Sequence, residues 1–262
     1  MANRDLPVGM FDSGIGGLTV LKSCLEVLPS ENFLYLGDTA RTPYGPKGSD
    51  TIRRYGRECA EFLVQKGIKA LVVACNTVSS YALQEIEQMA GCPVIGTVDP
   101  AVRSAIEATR LGKIGVIGTA ATISGGAYER ALHAADSSLE VRSKACPLFV
   151  PVVEEGLREG AIVDGVVAHY LDEFAESGID TLILGCTHYP LIQEAIQKYL
   201  GDQVTLVACS EAIASDLKSI VEPSKKGTGE LDCFVTDATE RFDSLSSAFL
   251  TREGIHATKI SL

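Results

Sequence analysis

The sequence contains no tryptophan, and aromatic side chains make up only 6% of its 262 residues, so nothing in it suggests an aromatic recognition surface. It also lacks a positive balance. Its 23 lysines and arginines are outnumbered by 34 aspartates and glutamates, leaving a net charge of −11. Tracking a nucleic-acid backbone needs a basic face, which argues against nucleic acid as the main ligand. A small acidic substrate stays open, because a local pocket can oppose the global charge. No apolar run approaches the roughly 18 residues of a membrane-spanning helix, and Met1-Ala2-Asn3-Arg4-Asp5 has none of a signal peptide's apolar core. A cytoplasmic protein with no membrane partner is expected. Closely spaced cysteines are missing as well. The chain has eight, but no two fall within four positions of each other, so the paired ligands of structural zinc are absent and no metal is predicted. In a long cytoplasmic chain they are expected to stay reduced.

What the chain does have is ample core material, 46% hydrophobic residues, organised around one stretch. Ala70-Leu71-Val72-Val73-Ala74 reads as a strand buried on both faces, as in parallel sheets. It delivers Cys75-Asn76-Thr77 and then Ser79-Ser80, which are helix N-cap material. Cys75 is thus predicted at the carboxyl end of a strand, beside a helix N-terminus. There open α/β sheets bind ligands and a thiol ionises most easily.

The pattern occurs twice. Gly67 is followed eight positions later by Cys75, and Gly178 eight positions later by Cys186, with matching strands at 70–74 and 181–185. Upstream, the run from Val8 to Ser13 echoes that from Ile114 to Thr119. Downstream, Pro93 to Gly96 and a helix echo Val204 to Val207 and a helix. Three coincidences in one order point to two related α/β units, each presenting a cysteine at a strand end. Strand–helix alternation continues throughout and implies parallel sheets with right-handed crossovers. The glycine-rich Asp12-Ser13-Gly14-Ile15-Gly16-Gly17 is predicted to turn from the first strand into a helix. A helix is expected over 79–90, a loop over 146–156, a solvated loop over 222–230 and a closing helix over 237–250. If the last strand returns to the first sheet, the first domain is discontinuous.

Two thiols facing one carbon suit proton removal on one side and delivery on the other, which inverts a stereocentre. The thiolate is the working base, and an ordinary thiol near pKa ~8.5 is only a few per cent ionised at neutrality. Lowering that to ~7 takes roughly 2 kcal/mol, more than the ~0.3–1 kcal/mol of a helix N-terminus. Neighbouring groups must help, and His188, two residues past Cys186, is the nearest candidate. Asn76, Thr77 and Thr187 offer neutral donors for a carboxylate or amino group, or else serve as plain caps. Cys24, Cys59, Cys92, Cys146, Cys209 and Cys233 read as small core residues.

Five motifs carry a resemblance: Asp12 to Leu18, Leu36 to Arg41, Pro43-Tyr44-Gly45, Ala74 to Thr77, and Gly185 to Pro190. Together, and in this order, they closely resemble the glutamate racemase family, over the chain from Val8 onward. The resemblance implies two similar parallel-sheet α/β domains related by pseudo-twofold symmetry, with the active site in the cleft between them. The domains are expected at 1–98 with 210–262, and at 99–209. It further implies Cys75 and Cys186 as acid/base thiols, assisted by Asp12 and by Glu154 with His188. Asp12, Ser13, Tyr44, Gly45, Asn76, Thr77, Thr187 and His188 would line the substrate. Adjacent Glu155 competes with Glu154 for the assisting role. The implied partner is glutamate, the implied product D-glutamate for peptidoglycan, and no cofactor is implied. A homodimer is left open.

Three rivals remain. Gly14-Ile15-Gly16 after a strand mimics part of a dinucleotide-binding fingerprint, but Thr19 stands where the third glycine belongs. A non-catalytic α/β binding protein would use both cysteines as packing. An aspartate racemase would keep the chemistry, with Arg41, Lys47 or Arg53 available for a side-chain carboxylate.

Overall fold

The computed structural model describes residues 4–250 and 255–262. Met1, Ala2 and Asn3, part of the stretch inspected for a leader, lie outside the described residues. In chain order the elements are β1 (Val8–Asp12), α1 (Leu18–Val27), β2 (Phe33–Gly37), α2 (Ser49–Gln65), β3 (Ala70–Val73), α3 (Asn76–Ala90) and β4 (Val94–Ile95). Then come α4 (Val98–Ala108), β5 (Lys113–Gly118), α5 (Ala120–Gly125), α6 (Ala127–Ala135), β6 (Glu140–Ala145), α7 (Phe149–Glu154) and α8 (Ala161–Ser177). The chain continues with β7 (Thr181–Gly185), a 3-10 turn (Tyr189–Ile192), α9 (Gln193–Leu200) and β8 (Thr205–Val207). It closes with α10 (Ser210–Ile220), β9 (Leu231–Val235), α11 (Thr239–Leu250) and β10 (Ala257–Lys259).

The chain divides into two compact units: residues up to Thr97 together with those from Ser210, and Val98–Cys209. Each is built on one sheet in which the paired strands run parallel, as the strand–helix alternation predicts. In the first unit the order is β10-β9-β2-β1-β3-β4, and in the second β6-β5-β7-β8. The common part, β2-β1-β3-β4, becomes β6-β5-β7-β8 when every number is raised by four, so the repeated sequence folds into a repeated topology. All residues of β1, β2, β3 and β7 are buried, which is why their sequences are continuous apolar runs rather than alternations. Edge strand β6 has no buried residue and carries the charges of Glu140, Arg142 and Lys144, which resist pairing at an edge.

Two local expectations change. Helix α3 starts at Asn76, not at Ser79, because Cys75 is its N-cap: the Cys75 carbonyl accepts the Ser79 N–H at 2.9 Å. The Ser79 and Ser80 hydroxyls instead donate backwards, to the carbonyls of Val73 (3.1 Å) and Asn76 (2.8 Å). The loop expected over 146–156 contains α7, whose Phe149, Val150 and Val153 are buried. Pro151 lies within its first turn, where a missing N–H costs nothing. The segment over 222–230 is the exposed loop expected, and hydrogen bonds pin it to the first unit. Asn32 Oδ1 accepts N–H groups of Thr228 and Glu230, and Asp5 Oδ1 accepts that of Lys225. Among the described residues no helix is long and apolar enough to cross a membrane, and no cluster of His, Cys, Asp and Glu is arranged to hold a metal ion.

Candidate active site

In the first unit the chain leaves β1 for β2 on one side and later adds β3 on the other. The carboxyl ends of β1 and β3 therefore flank a topological switch point, the usual ligand position in open α/β sheets. Asp12 ends β1 and Cys75 follows β3, and both are nearly covered, at 1% and 4% exposure. Cys75 has extended backbone angles (φ −74°, ψ 115°), as an N-cap requires, and so stands at the positive end of α3. The Asp12 Oδ2 atom accepts N–H bonds from Gly14 and Gly17, each at 3.1 Å, which fixes the carboxylate beneath the glycine-rich turn. Gly17 has to be glycine: a Cβ there would lie 2.6 Å from Asp12 Cβ and 3.2 Å from Ala74 Cβ. Asn76 and Thr77 open α3 and are buried, while Ser13 is half-buried in the turn.

Tyr44 and Gly45 lie on the segment between β2 and α2. The Tyr44 ring is directed into the unit, where its hydroxyl donates to the wholly buried Asp38 carboxylate. The Tyr44 hydroxyl is thus engaged within the unit. Burial, then Cys59 and Asp38, raise the Tyr44 phenol far above its ordinary value, so it remains a donor. Asp38 also accepts from Arg41 Nε at 2.6 Å and from Thr236 Oγ1 at 2.8 Å, tying this segment to the end of β9. Arg41 further pairs with Glu58, and Arg53 with Glu85. Two of the three cations considered for a substrate carboxylate are thus already engaged within the unit.

The second unit repeats the switch point with β5 and β7. Cys186 follows Gly185, whose missing side chain lets the β7 backbone approach β5: a Cβ there would meet the Ile117 carbonyl oxygen at 2.7 Å. Cys186, Thr187 and His188 are 6%, 5% and 5% exposed. Here three side chains form a line. Cys186 Sγ lies 3.8 Å from His188 Nδ1, and His188 Nε2 lies 3.2 Å from Glu154 Oε1. A carboxylate on Nε2 accepts its proton and leaves Nδ1 facing the thiol, the tautomer a base needs. Glu154, last residue of α7, reaches the histidine, whereas Glu155 is exposed. Cys146 is a different case: burial pushes its thiol up to about 12, with Lys144 opposing and Cys186 adding, so it stays protonated. All eight cysteines are thiols.

Thr119, named in the sequence only as the end of an echoed run, directly follows β5, and Thr122 lies in α5. Thr119 caps α5, accepting the Thr122 N–H at 3.2 Å, and the two hydroxyls are 2.9 Å apart. The echo between the first and fifth strands places Gly118-Thr119 where the first unit has Asp12-Ser13, which was the signal available for Thr119, whereas Thr122 lies beyond the echoed residues.

The model of the Asp/Glu/hydantoin racemase family matches residues 16–217. The chain belongs to that family. The glutamate racemase of Aquifex aeolicus is 49% identical over 248 residues, covering 95% of both chains. Among solved structures, a glutamate racemase isoform from Bacillus anthracis matches with a TM-score of 0.93 at 39% identity, covering 98% of each chain. The glutamate racemase of Francisella tularensis, solved in complex with D-glutamate, matches with a TM-score of 0.91 at 38% identity and the same coverage. As a member of this family the chain is an amino-acid racemase, an isomerase, and the dinucleotide-binding and non-catalytic readings fall away.

Proposed function

We propose that this racemase interconverts L- and D-glutamate by two thiols acting on opposite faces of the α-carbon, without a cofactor. The observation that carries this is the duplicated switch point: in each unit a buried cysteine follows the third strand, Cys75 as the N-cap of α3 and Cys186 with its Sγ 3.8 Å from His188 Nδ1. In one direction the Cys75 thiolate takes the α-proton and the Cys186 thiol returns a proton to the other face. In the reverse direction the two exchange roles, so both thiols must act on the same carbon. Asp12 assists Cys75, and His188 held by Glu154 assists Cys186 by receiving its proton as the thiolate forms. Ser13, Asn76, Thr77 and Thr187, with the main chain at Tyr44 and Gly45, supply neutral hydrogen bonds for the substrate's carboxylates and amino group. The domains of this reading, 1–98 with 210–262 and 99–209, differ from the two compact units by Val98 alone. The relatives named glutamate racemase, one of them solved with D-glutamate, support glutamate over aspartate. D-glutamate made in the cytoplasm would supply peptidoglycan synthesis.

The test is proton exchange. Chelator-treated, pyridoxal-free protein is incubated with L-glutamate in heavy water, in parallel with L-aspartate. Deuterium at Cα and accumulation of the D-enantiomer are expected with glutamate. No exchange with glutamate overturns the proposal, and faster exchange with aspartate overturns its substrate.

A further inference from the structure

Tyr35 lies in the middle of β2, wholly buried, and none of the roles above uses it. Its ring packs on Phe242 of α11, with centroids 5.9 Å apart. Its hydroxyl passes beneath the glycine-rich turn and donates to the Gly14 carbonyl at 3.0 Å. Gly14 is therefore held on both sides, its carbonyl by Tyr35 and its N–H by Asp12 Oδ2. The space around Gly17 shows how close these groups are. A Cβ at Gly17 would lie 2.6 Å from Asp12 Cβ, 2.9 Å from the Tyr35 hydroxyl and 3.2 Å from Ala74, the residue before Cys75. Burial first, then the charge of Asp12, hold the Tyr35 phenol well above its ordinary value, so its proton stays in place for Gly14.

We propose that Tyr35 is a positioning residue for the Asp12 carboxylate, and that through Gly14 it serves the Cys75 thiol and not the Cys186 thiol. This rests on the two-thiol reading above. Because the two enantiomers are equal in free energy, every variant slows kcat/KM alike in both directions. A residue that only stabilised the fold would also leave the isotope effects of the two directions balanced. One that sets Asp12 makes the Cys75 proton transfer selectively harder.

The experiment compares Tyr35→Phe with Asp12→Asn and His188→Asn, using glutamate deuterated at Cα and measuring the primary isotope effect in each direction. Tyr35→Phe is expected to turn over about five- to tenfold more slowly, the size of one lost buried hydrogen bond. Its isotope effect is expected to rise in the same direction as in Asp12→Asn, opposite to His188→Asn. Equal effects in both directions, or the His188→Asn pattern, overturn the assignment. Should Tyr35→Phe not fold, Phe242→Leu loosens the ring from behind with the hydroxyl kept, and a smaller shift of the same sign is expected; no shift overturns the assignment. Cys75→Ala and Cys186→Ala are run alongside. If either keeps turnover, the two-thiol reading itself has failed, and that outcome is distinct from a failure of the Tyr35 assignment alone.

Discussion

Glu154 Oε1 lies 3.2 Å from His188 Nε2, so the ring is held by a carboxylate on the side away from Cys186. Replacing Glu154 by Gln keeps the size of the side chain but removes the charge that favours an imidazolium. A charge-assisted hydrogen bond is worth about 1.5–3 kcal/mol, and Glu154 is partly exposed, which favours the lower end. Glu154→Gln is expected to slow turnover roughly tenfold, with the isotope-effect asymmetry of His188→Asn. Glu155→Gln, altering an exposed neighbour, should leave both directions unchanged in the same assay.

The thiols should separate cleanly under substitution. Cys75→Ala and Cys186→Ala are each expected to abolish racemisation while leaving far-ultraviolet dichroism and the melting transition near those of the parent. Cys146→Ala, whose thiol burial pushes up to about 12, should retain turnover and lose a modest amount of stability through the small cavity it leaves. Loss of turnover in a folded Cys146→Ala protein would show that a third thiol takes part.

A buried ion pair fastens the amino-terminal edge of the first unit. Lys69 Nζ meets Glu31 Oε2 at 2.5 Å, with both side chains 3% exposed, and also donates to the carbonyls of Arg4 (2.9 Å) and Glu222 (3.1 Å). Glu31 Oε1 in turn accepts the Ser224 N–H at 2.6 Å. Lys69→Met strands a buried carboxylate and should cost about 3–5 kcal/mol in urea unfolding. Adding Glu31→Leu should recover part of that loss, because the uncompensated charge is gone. A double variant less stable than Lys69→Met would rule out the stranded charge as the cause.

The Asp180 carboxylate makes stability depend on pH with a definite sign. Burial raises the pKa of Asp180, but hydrogen bonds from Thr109 Oγ1 (2.7 Å) and the N–H groups of Arg110 (2.6 Å) and Leu111 (2.7 Å) outweigh it, and the net shift is downward. A folded-state value below the unfolded one means a stabilisation present in full above about pH 4, near the unfolded value. It is lost as pH falls through the folded value. Asp180→Asn should therefore be less stable than the parent at pH 7, and the gap should narrow on acidification. Chemical denaturation at a series of pH values measures it; a gap that widens on acidification contradicts the assignment.

The strands bearing the thiols were legible in the sequence because burial on both faces forces an unbroken apolar run, and the run stops where the ligand end begins. The duplication was legible for the same reason. Helix α7 was not, since Pro151 and Gly156 imitate a loop while three spaced apolar residues carry the helix. Ser79 and Ser80 imitated a cap, but their hydroxyls satisfy carbonyls behind them, and a cysteine took the capping position. Strand β10 carries no apolar pattern because it lies at an edge with Thr258 and Lys259 exposed. Tyr35 could not be singled out, since a tyrosine inside a strand looks like core until its hydroxyl is found under Gly14. The inward turn of Tyr44 depends on Asp38 and Thr236, a pairing across 198 positions that no local pattern reveals.

Strand β9 lies beside β2, although nearly two hundred residues separate them along the chain. During translation, Val98–Cys209 is a contiguous unit that can close as soon as it leaves the ribosome. The sheet carrying Cys75 has to wait for Leu231–Val235, and the ring of Tyr35 for Phe242. A nascent chain halted before those residues would present one finished cysteine loop and one unfinished, and the earlier-made of the two thiols would be the later to mature.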